Sequence, residues 1–407
     1  MTRTEYGLED RLRDGLETSG QLVSISGPSK SGKTVFVENV VGPDRLQSAV
    51  TGAGIAHPSD LWDRILDWMS VPASEAKSSR SARTLGTAVE VEGEAGVPLI
   101  AKGKAGASGQ LGHRSEAAEE ESRGRRGMQQ VIEEISDSDF VVLIDDFHYM
   151  TRDVQDEVAK QLKEAVRQGV SMITASVTHR SDDVVRANPE LRGRVLAIDF
   201  AYWEPQYLQQ IADIGFGLLN ASVDSFAVSH LVKEASGSPQ LMQAICLNAC
   251  FEMDVRQKLD VPTSLAPGSD ALEAIFKRTS TMTDFRSLVD ALDTGPATRG
   301  TERKTYSFVD GTSGDVYRAI LEAIAQDPPI LSLAYEDLTA RLGDICHGEA
   351  PVGSSVISSC QQMAKLAQRN FPLERPLDWD DERGGVLDLP DPYLLFYLRW
   401  STRLLES

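Results

Sequence analysis

Gly27-Pro28-Ser29-Lys30-Ser31-Gly32-Lys33-Thr34 has the spacing Gly-x4-Gly-Lys-Thr, the P-loop pattern. Such a stretch suits a phosphate. Glycines let consecutive backbone N–H groups curl round the anion, and a helix starting directly after it adds its positive N-terminal end. The pattern predicts a nucleotide-binding set running from Gly27 through Val35, with Lys33 reaching the β- and γ-phosphates and the Thr34 hydroxyl ligating Mg²⁺. Further on, Val141-Val142-Leu143-Ile144 ends in Asp145-Asp146. An apolar strand ending in two carboxylates offers Asp145 for the Mg²⁺ shell and Asp146 to orient or activate an attacking water. The chemistry implied is hydrolysis of a nucleoside triphosphate.

Apolar patterning supplies the elements that must hold these groups. Leu22–Ser26 reads as the strand before the loop, with a helix after it over 35–40. Strands are expected over 140–144, 171–176 and 195–200, and helices over 5–18, 61–69 and 154–168. Short apolar strands alternating with amphipathic helices mean a parallel sheet covered on both faces, an α/β fold. From Thr34 to Asp145 is 111 residues, more than a compact βαβ core requires, so an insertion is expected over about 74–127. Between Trp68 and Phe140 no aromatic residue occurs, and 86–112 holds seven glycines in 27 residues. Its alternating stretches predict a hairpin or irregular β segment, and 115–127 reads as a charged helix or solvated linker. From 204 to about 259 the pattern is wholly helical, and 262–270 reads as a linker. Helices over 271–278, 316–325, 335–342 and 356–368, then β-like pieces at 377–379 and 386–389, predict a winged helix at the end.

The chain of 407 residues can build two or three cores, and its 41 Lys and Arg against 61 Asp and Glu leave a net charge of −20. That balance disfavours binding nucleic acid through bulk electrostatics. Cys246, Cys250, Cys346 and Cys360 form no CxxC pair; Cys246 and Cys250, four apart in a helical stretch, read as buried thiols, and so few cysteines suggest a reducing, cytoplasmic setting. The charged N-terminus is not read as a signal peptide, and no stretch approaches the ~20 apolar residues of a membrane span.

Ile144-Asp145-Asp146-Phe147-His148 resembles the Walker B strand of signal-transducing STAND ATPases and of the origin-recognition-related, archaeal-type AAA+ ATPases. Thr174-Ala175-Ser176-Val177-Thr178-His179-Arg180 is similar to their sensor 1 region, which implies Arg180 near the γ-phosphate. Gly237-Ser238-Pro239 resembles the GxP turn of a helical lid, which implies Pro239 against adenine. The ending Asp391-Pro392-Tyr393-Leu394-Leu395-Phe396-Tyr397-Leu398-Arg399-Trp400 resembles the close of the archaeal-type winged-helix domain. The resemblance implies ATP and Mg²⁺ as ligands. It also implies a core over 1–203, a lid over 204–262, a connector over 263–312 and a winged helix over 313–407. Gln240 departs from the arginine such lids often carry, which directs attention to Arg192 and Arg194 as a finger supplied by a neighbouring subunit, or else as surface arginines. His148 and His179 stand beside the motifs as catalytic-base candidates, but P-loop chemistry does not need one, and they are expected to pack or hydrogen-bond. Arg299, Arg303 and Lys304 belong either to a solvated loop or to an anion or partner contact.

The reading that follows is an ATP-hydrolysing switch whose nucleotide state controls homo-oligomerisation or engagement of a protein partner, in bacterial regulation or defence. Two rivals stand beside it: a DNA-loading AAA+ ATPase acting through the winged helix, and a non-hydrolysing nucleotide-binding scaffold.

Overall fold

The computed structural model describes residues 7–42, 45–71, 74–75, 123–124, 126–177, 188–297, 303–371, 376–381 and 384–404. Its first part runs α1 (Leu8–Glu17), β1 (Leu22–Ser26), α2 (Lys33–Val41), β2 (Leu46–Thr51), α3 (Pro58–Trp68), α4 (Met128–Ile135), β3 (Val141–Asp145), α5 (Arg152–Arg167), β4 (Ser171–Ser176) and β5 (Val195–Asp199). The five strands form one parallel sheet in the order β2-β3-β4-β1-β5. Successive strand side chains face opposite ways. Val141 and Leu143 therefore join Leu12, Phe36 and Val37 on one face, while Val142 and Ile144 join Trp62, Val131, Val158 and Leu162 on the other. Burial on both faces is why these strands read as continuous apolar runs.

The chain leaves β1 toward one edge of the sheet, where β2 lies, and leaves β4 toward the other, where β5 lies. The C-terminal ends of these two adjacent strands thus flank a crevice, the place where open α/β sheets bind ligands. Both carry the predicted chemistry: the phosphate loop follows β1, and the sensor-like segment follows β4. Residues 178–180 of that segment, with His179 and Arg180, lie outside the described residues. The long interval before β3 leaves and rejoins the core through two short antiparallel strands, where Ser74 and Glu75 pair with Gly124 and Arg123. The hairpin expected over 86–112 lies outside the described residues.

Beyond β5 come α6 (Pro205–Leu218), α7 (Ser225–Glu234), α8 (Pro239–Glu252) and α9 (Ser269–Ser280), which share a core of Leu208, Phe216, Leu231, Leu241, Ile245 and Phe276. The expected all-helical stretch is corrected here. Residues 221–223 are a short strand that pairs in parallel with 263–265, so the segment read as a linker contributes a strand. Then follow α10 (Arg286–Thr294), α11 (Val316–Ala325), β6 (Ser332–Ala334), α12 (Tyr335–Ile345), α13 (Ser354–Asn370), β7 (Asp378–Asp380), β8 (Val386–Asp388) and α14 (Pro392–Trp400). The strands form an antiparallel sheet in the order β6-β8-β7.

Helix α14 serves two cores. Leu394, Leu395, Tyr397 and Leu398 are buried with α11, α12 and α13, while Tyr393 and Phe396 are buried among the residues of α6 to α9, with Trp400 packed against them. The spacing 393, 396, 400 puts these three aromatics on one helix face. Among the described residues no helix is long and apolar enough to cross a membrane. The four cysteines are free thiols, three of them buried, and burial with Cys250 nearby pushes the Cys246 thiol up to about 12.

Candidate active site

The phosphate loop departs from β1 where space admits only glycine. A Cβ on Gly27 would lie 2.4 Å from the Cβ of Phe200. The Gly27 N–H donates to the carbonyl of Ser176 at 3.2 Å, tying the start of the loop to the end of β4. Lys30 and Gly32 have φ of 60° and 88°, left-handed conformations that turn backbone N–H groups inward, as in an anion nest. Gly32 then caps α2 with no side-chain acceptor, leaving the first-turn N–H groups for a ligand. The Ser31 Oγ is buried and finds no hydrogen-bond partner among the described residues, a donor in the loop that a phosphate oxygen would satisfy. Lys33 is only 8% exposed, and its ammonium donates to the carbonyls of Gly27 and Pro28 at 3.0 and 2.8 Å. Val35, near the start of α2, stands 57% exposed beside the loop.

Across the crevice, the Thr34 hydroxyl donates to Asp145 Oδ2 at 2.5 Å. The other Asp145 oxygen accepts the N–H of Asp146 at 2.9 Å, which fixes the carboxylate's orientation. Asp146 has φ 54°, so its side chain leaves the strand direction at the sheet edge. Burial first, then the Asp145 charge, pushes its carboxyl up to about 6 against the opposing pull of Lys33. Behind it, the Gly52 N–H donates to the Asp145 carbonyl at 2.7 Å, and a Cβ on Gly52 would lie 2.4 Å from the Asp146 carbonyl oxygen. Arg64 holds that turn by donating to the carbonyls of Thr51, Ala53 and Gly54, each at 3.0 Å.

Thr34 and Asp145 are hard oxygen donors fit for Mg²⁺, which takes one or two carboxylates and completes its shell with water and phosphate oxygens. Among the described residues no group of three or more His, Cys, Asp or Glu could hold a metal alone. The donor set therefore suits an ion that arrives with phosphates.

Among solved structures, the Walker-type ATPase PABY2304 of Pyrococcus abyssi is similar over 96% of this chain and 94% of its own, with a TM-score of 0.50 and 13% identity. Cdc6p from Pyrobaculum aerophilum is similar over 100% of this chain and 95% of its own, with a TM-score of 0.41 and 10% identity. The RuvB Holliday junction branch migration motor of Thermotoga maritima is similar over 84% of this chain and 84% of its own, with a TM-score of 0.40 and 13% identity. No protein-family model matches the chain, and no curated protein matches it by sequence. The fold is that of a P-loop NTPase.

Within this fold the other predicted residues fall in distinct places. Pro239 is buried at the first position of α8, just after Gly237 (φ 77°), and the Ser238 hydroxyl accepts the Leu241 N–H at 3.2 Å. Arg192 and Arg194 lie in the turn before β5, and the Arg194 carbonyl accepts the N–H of Leu22 at the start of β1. They therefore sit at the N-terminal end of the sheet, about 17 Å along a five-residue strand from the chain's own phosphate loop. His148 is buried in the short 3-10 turn after β3 and packs on Tyr149 at 4.3 Å between ring centroids. Arg303 and Lys304 are engaged internally: Arg303 pairs with Asp315 at 2.7 Å over the Tyr317 ring, and Lys304 pairs with Glu349 at 2.6 Å. Arg299 lies outside the described residues.

Three site residues escaped the sequence reading. Gly52 and Trp203 shape the walls, and Asp391 reaches the loop from α14. Trp203 donates its indole N–H to the Ser31 carbonyl at 3.2 Å and its backbone N–H to the Gly237 carbonyl at 2.9 Å, linking the loop to the turn before α8. The Thr51-Gly52-Ala53-Gly54 pattern, with two glycines in four residues, was a visible signal for the first. Trp203 sits far from any motif, and Asp391 opens the closing winged-helix-like motif, where nothing local points it toward the phosphate loop.

Proposed function

We propose that this chain is an ATP-binding, ATP-hydrolysing switch of AAA+ or STAND type whose nucleotide state controls self-assembly or engagement of a protein partner. The observation that carries the reading is the 2.5 Å bond from Thr34 to Asp145, which brings the phosphate loop and the acidic strand end together beside the half-buried Asp146, whose carboxyl is pushed up to about 6. In this reading Lys33 leaves the Gly27 and Pro28 carbonyls to face the β- and γ-phosphates. Thr34 and Asp145 hold Mg²⁺, which would neutralise charge on the phosphates. Asp146 orients the attacking water and takes its proton, a task suited to a carboxyl held near neutral pH. Residues 204–262 form the lid, with Pro239 against the base. Residues 313–407 form a winged helix, an assignment supported by the helices α11, α12 and α13 and the β7–β8 hairpin. The core spans 1–203, its insertion about 74–127, and a cytoplasmic location fits four free thiols.

Arg180 would touch the γ-phosphate in this scheme. Arg192 and Arg194, too far from their own loop, would serve a neighbour's site. Engagement of Arg303 and Lys304 by Glu349, Asp315 and Tyr317 weighs against the DNA-loading rival, because those cations are already neutralised. The test is ATP turnover by the purified chain, with its assembly state imaged with and without a slowly hydrolysed ATP analogue. Turnover that Lys33→Ala abolishes, with larger particles on the analogue, is expected; Lys33→Ala should weaken ATP binding by about 100-fold, the loss of a charged hydrogen-bonding contact. ATP binding without turnover would promote the scaffold reading instead.

A further inference from the structure

Lys30 occupies the third x position of the loop and does not point to a neighbour in the core. Its ammonium lies 2.8 and 3.0 Å from the two oxygens of Asp391 and 4.2 Å from the centre of the Tyr393 ring. Both partners belong to the start of α14, more than 350 residues away in sequence. Asp391 also accepts the Tyr393 N–H at 3.0 Å, so one carboxylate caps α14 and grips the loop at once. The pair is half-buried, with 29% and 20% of the two side chains exposed, which keeps it from being a freely solvated surface contact. Lys30 has a positive φ, a conformation that residues with a Cβ adopt at a cost unless their surroundings impose it.

We propose that Asp391 is a latch on the phosphate loop, and that a nucleoside triphosphate must compete with it for Lys30. This rests on the nucleotide-binding reading above and deepens it. The carboxylate places negative charge at the rim of a site built for polyanions, and it occupies the loop cation that phosphate oxygens would otherwise draw in. A triphosphate opposes the latch more strongly than a diphosphate because it carries more charge. Releasing Lys30 frees the N-terminal end of α14, whose far faces lie in both the α6–α9 core and the C-terminal core. Occupancy of the loop is thereby transmitted to two hydrophobic cores through one helix.

Asp391→Asn tests this cleanly, since asparagine caps a helix as well as aspartate does but carries no charge. ATP–Mg²⁺ and ADP–Mg²⁺ are titrated calorimetrically into the full chain, Asp391→Asn, Lys30→Gln and the double variant. Asp391→Asn should bind ATP on the order of tenfold tighter, with a smaller gain for ADP, and the gain should vanish in the Lys30→Gln background. Hydrogen exchange over 392–400 should quicken in the parent when ATP is added, and should already be quick in Asp391→Asn without it. Unchanged or weaker ATP affinity in Asp391→Asn, while the parent binds ATP, overturns the latch alone. A parent that binds neither nucleotide overturns the proposed function and the latch together.

Discussion

Glu234, the last residue of α7, and Arg399, near the end of α14, form a two-pronged pair at 2.7 and 2.9 Å with both side chains more than nine-tenths buried. Trp400 donates its indole N–H to the same carboxylate at 2.6 Å, and Arg399 also reaches Asp327 at 3.0 Å and the Ala325 carbonyl at 2.7 Å. One carboxylate thus fastens helices α6 to α9 to the C-terminal elements. Removing it leaves a buried guanidinium with only its weaker partners. Glu234→Ala should cost about 3 kcal/mol in a denaturant titration, the lower range for a broken buried pair because Asp327 remains. Glu234→Gln should cost less, since it still accepts from Trp400. A loss below that of an ordinary surface substitution would show the pair to be incidental.

Asp146 should give the site its pH signature. Its carboxyl is raised from 3.8 to about 6 in the folded chain, chiefly by burial. Between those values the folded state keeps a proton that the unfolded state has lost, so the associated stability is present below about pH 4 and is lost as pH rises through 6. Asp146→Asn should therefore melt higher than the parent at about pH 7.5, with the difference shrinking toward about pH 4. Turnover in that variant should fall at least ~100-fold while ATP binding persists through Thr34 and Asp145. Parental turnover in Asp146→Asn would remove its role in positioning water.

Placement of Arg192 and Arg194 at the far end of the sheet makes a mixing experiment decisive. A protein carrying Arg192→Ala and Arg194→Ala retains a complete phosphate loop, whereas Asp146→Asn retains both arginines. Each is expected to be inactive alone, and a mixture should regain part of the parental ATPase rate. No recovery at any ratio would mean that the arginines serve no neighbour's site.

DNA binding should be weak. Residues 301–407 hold 10 Lys and Arg against 17 Asp and Glu, and β7 and β8 bring Asp378, Asp380 and Asp388 to one small sheet. Titrating the ATP-loaded chain with random duplex at low and physiological salt should give no submicromolar affinity. Tight, salt-sensitive binding lost on deleting 301–407 would restore the DNA-loading reading.

The loop and the acidic strand were legible because their chemistry is local: eight consecutive residues make the anion nest, and a run of four apolar residues delivers Asp145. Four of the five core strands were legible for the same reason, being short apolar runs. β2 was missed because Leu46-Gln47-Ser48-Ala49-Val50-Thr51 lacks a continuous apolar run. α10 was missed because its buried Leu288, Val289 and Leu292 follow a stretch without a clear helical pattern. Contacts such as Lys30 with Asp391 and Trp203 with Ser31 depend on where distant elements meet. Nothing in the local pattern of either partner records them.

Because Tyr393 and Phe396 complete a hydrophobic core begun at Leu208, helices α6 to α9 cannot finish folding during synthesis until α14 has left the ribosome. A nascent chain can already present the phosphate loop and acidic strand while the helical body that Tyr393 and Phe396 complete is still unfinished. The parallel sheet can thus be complete in time before the helical body is.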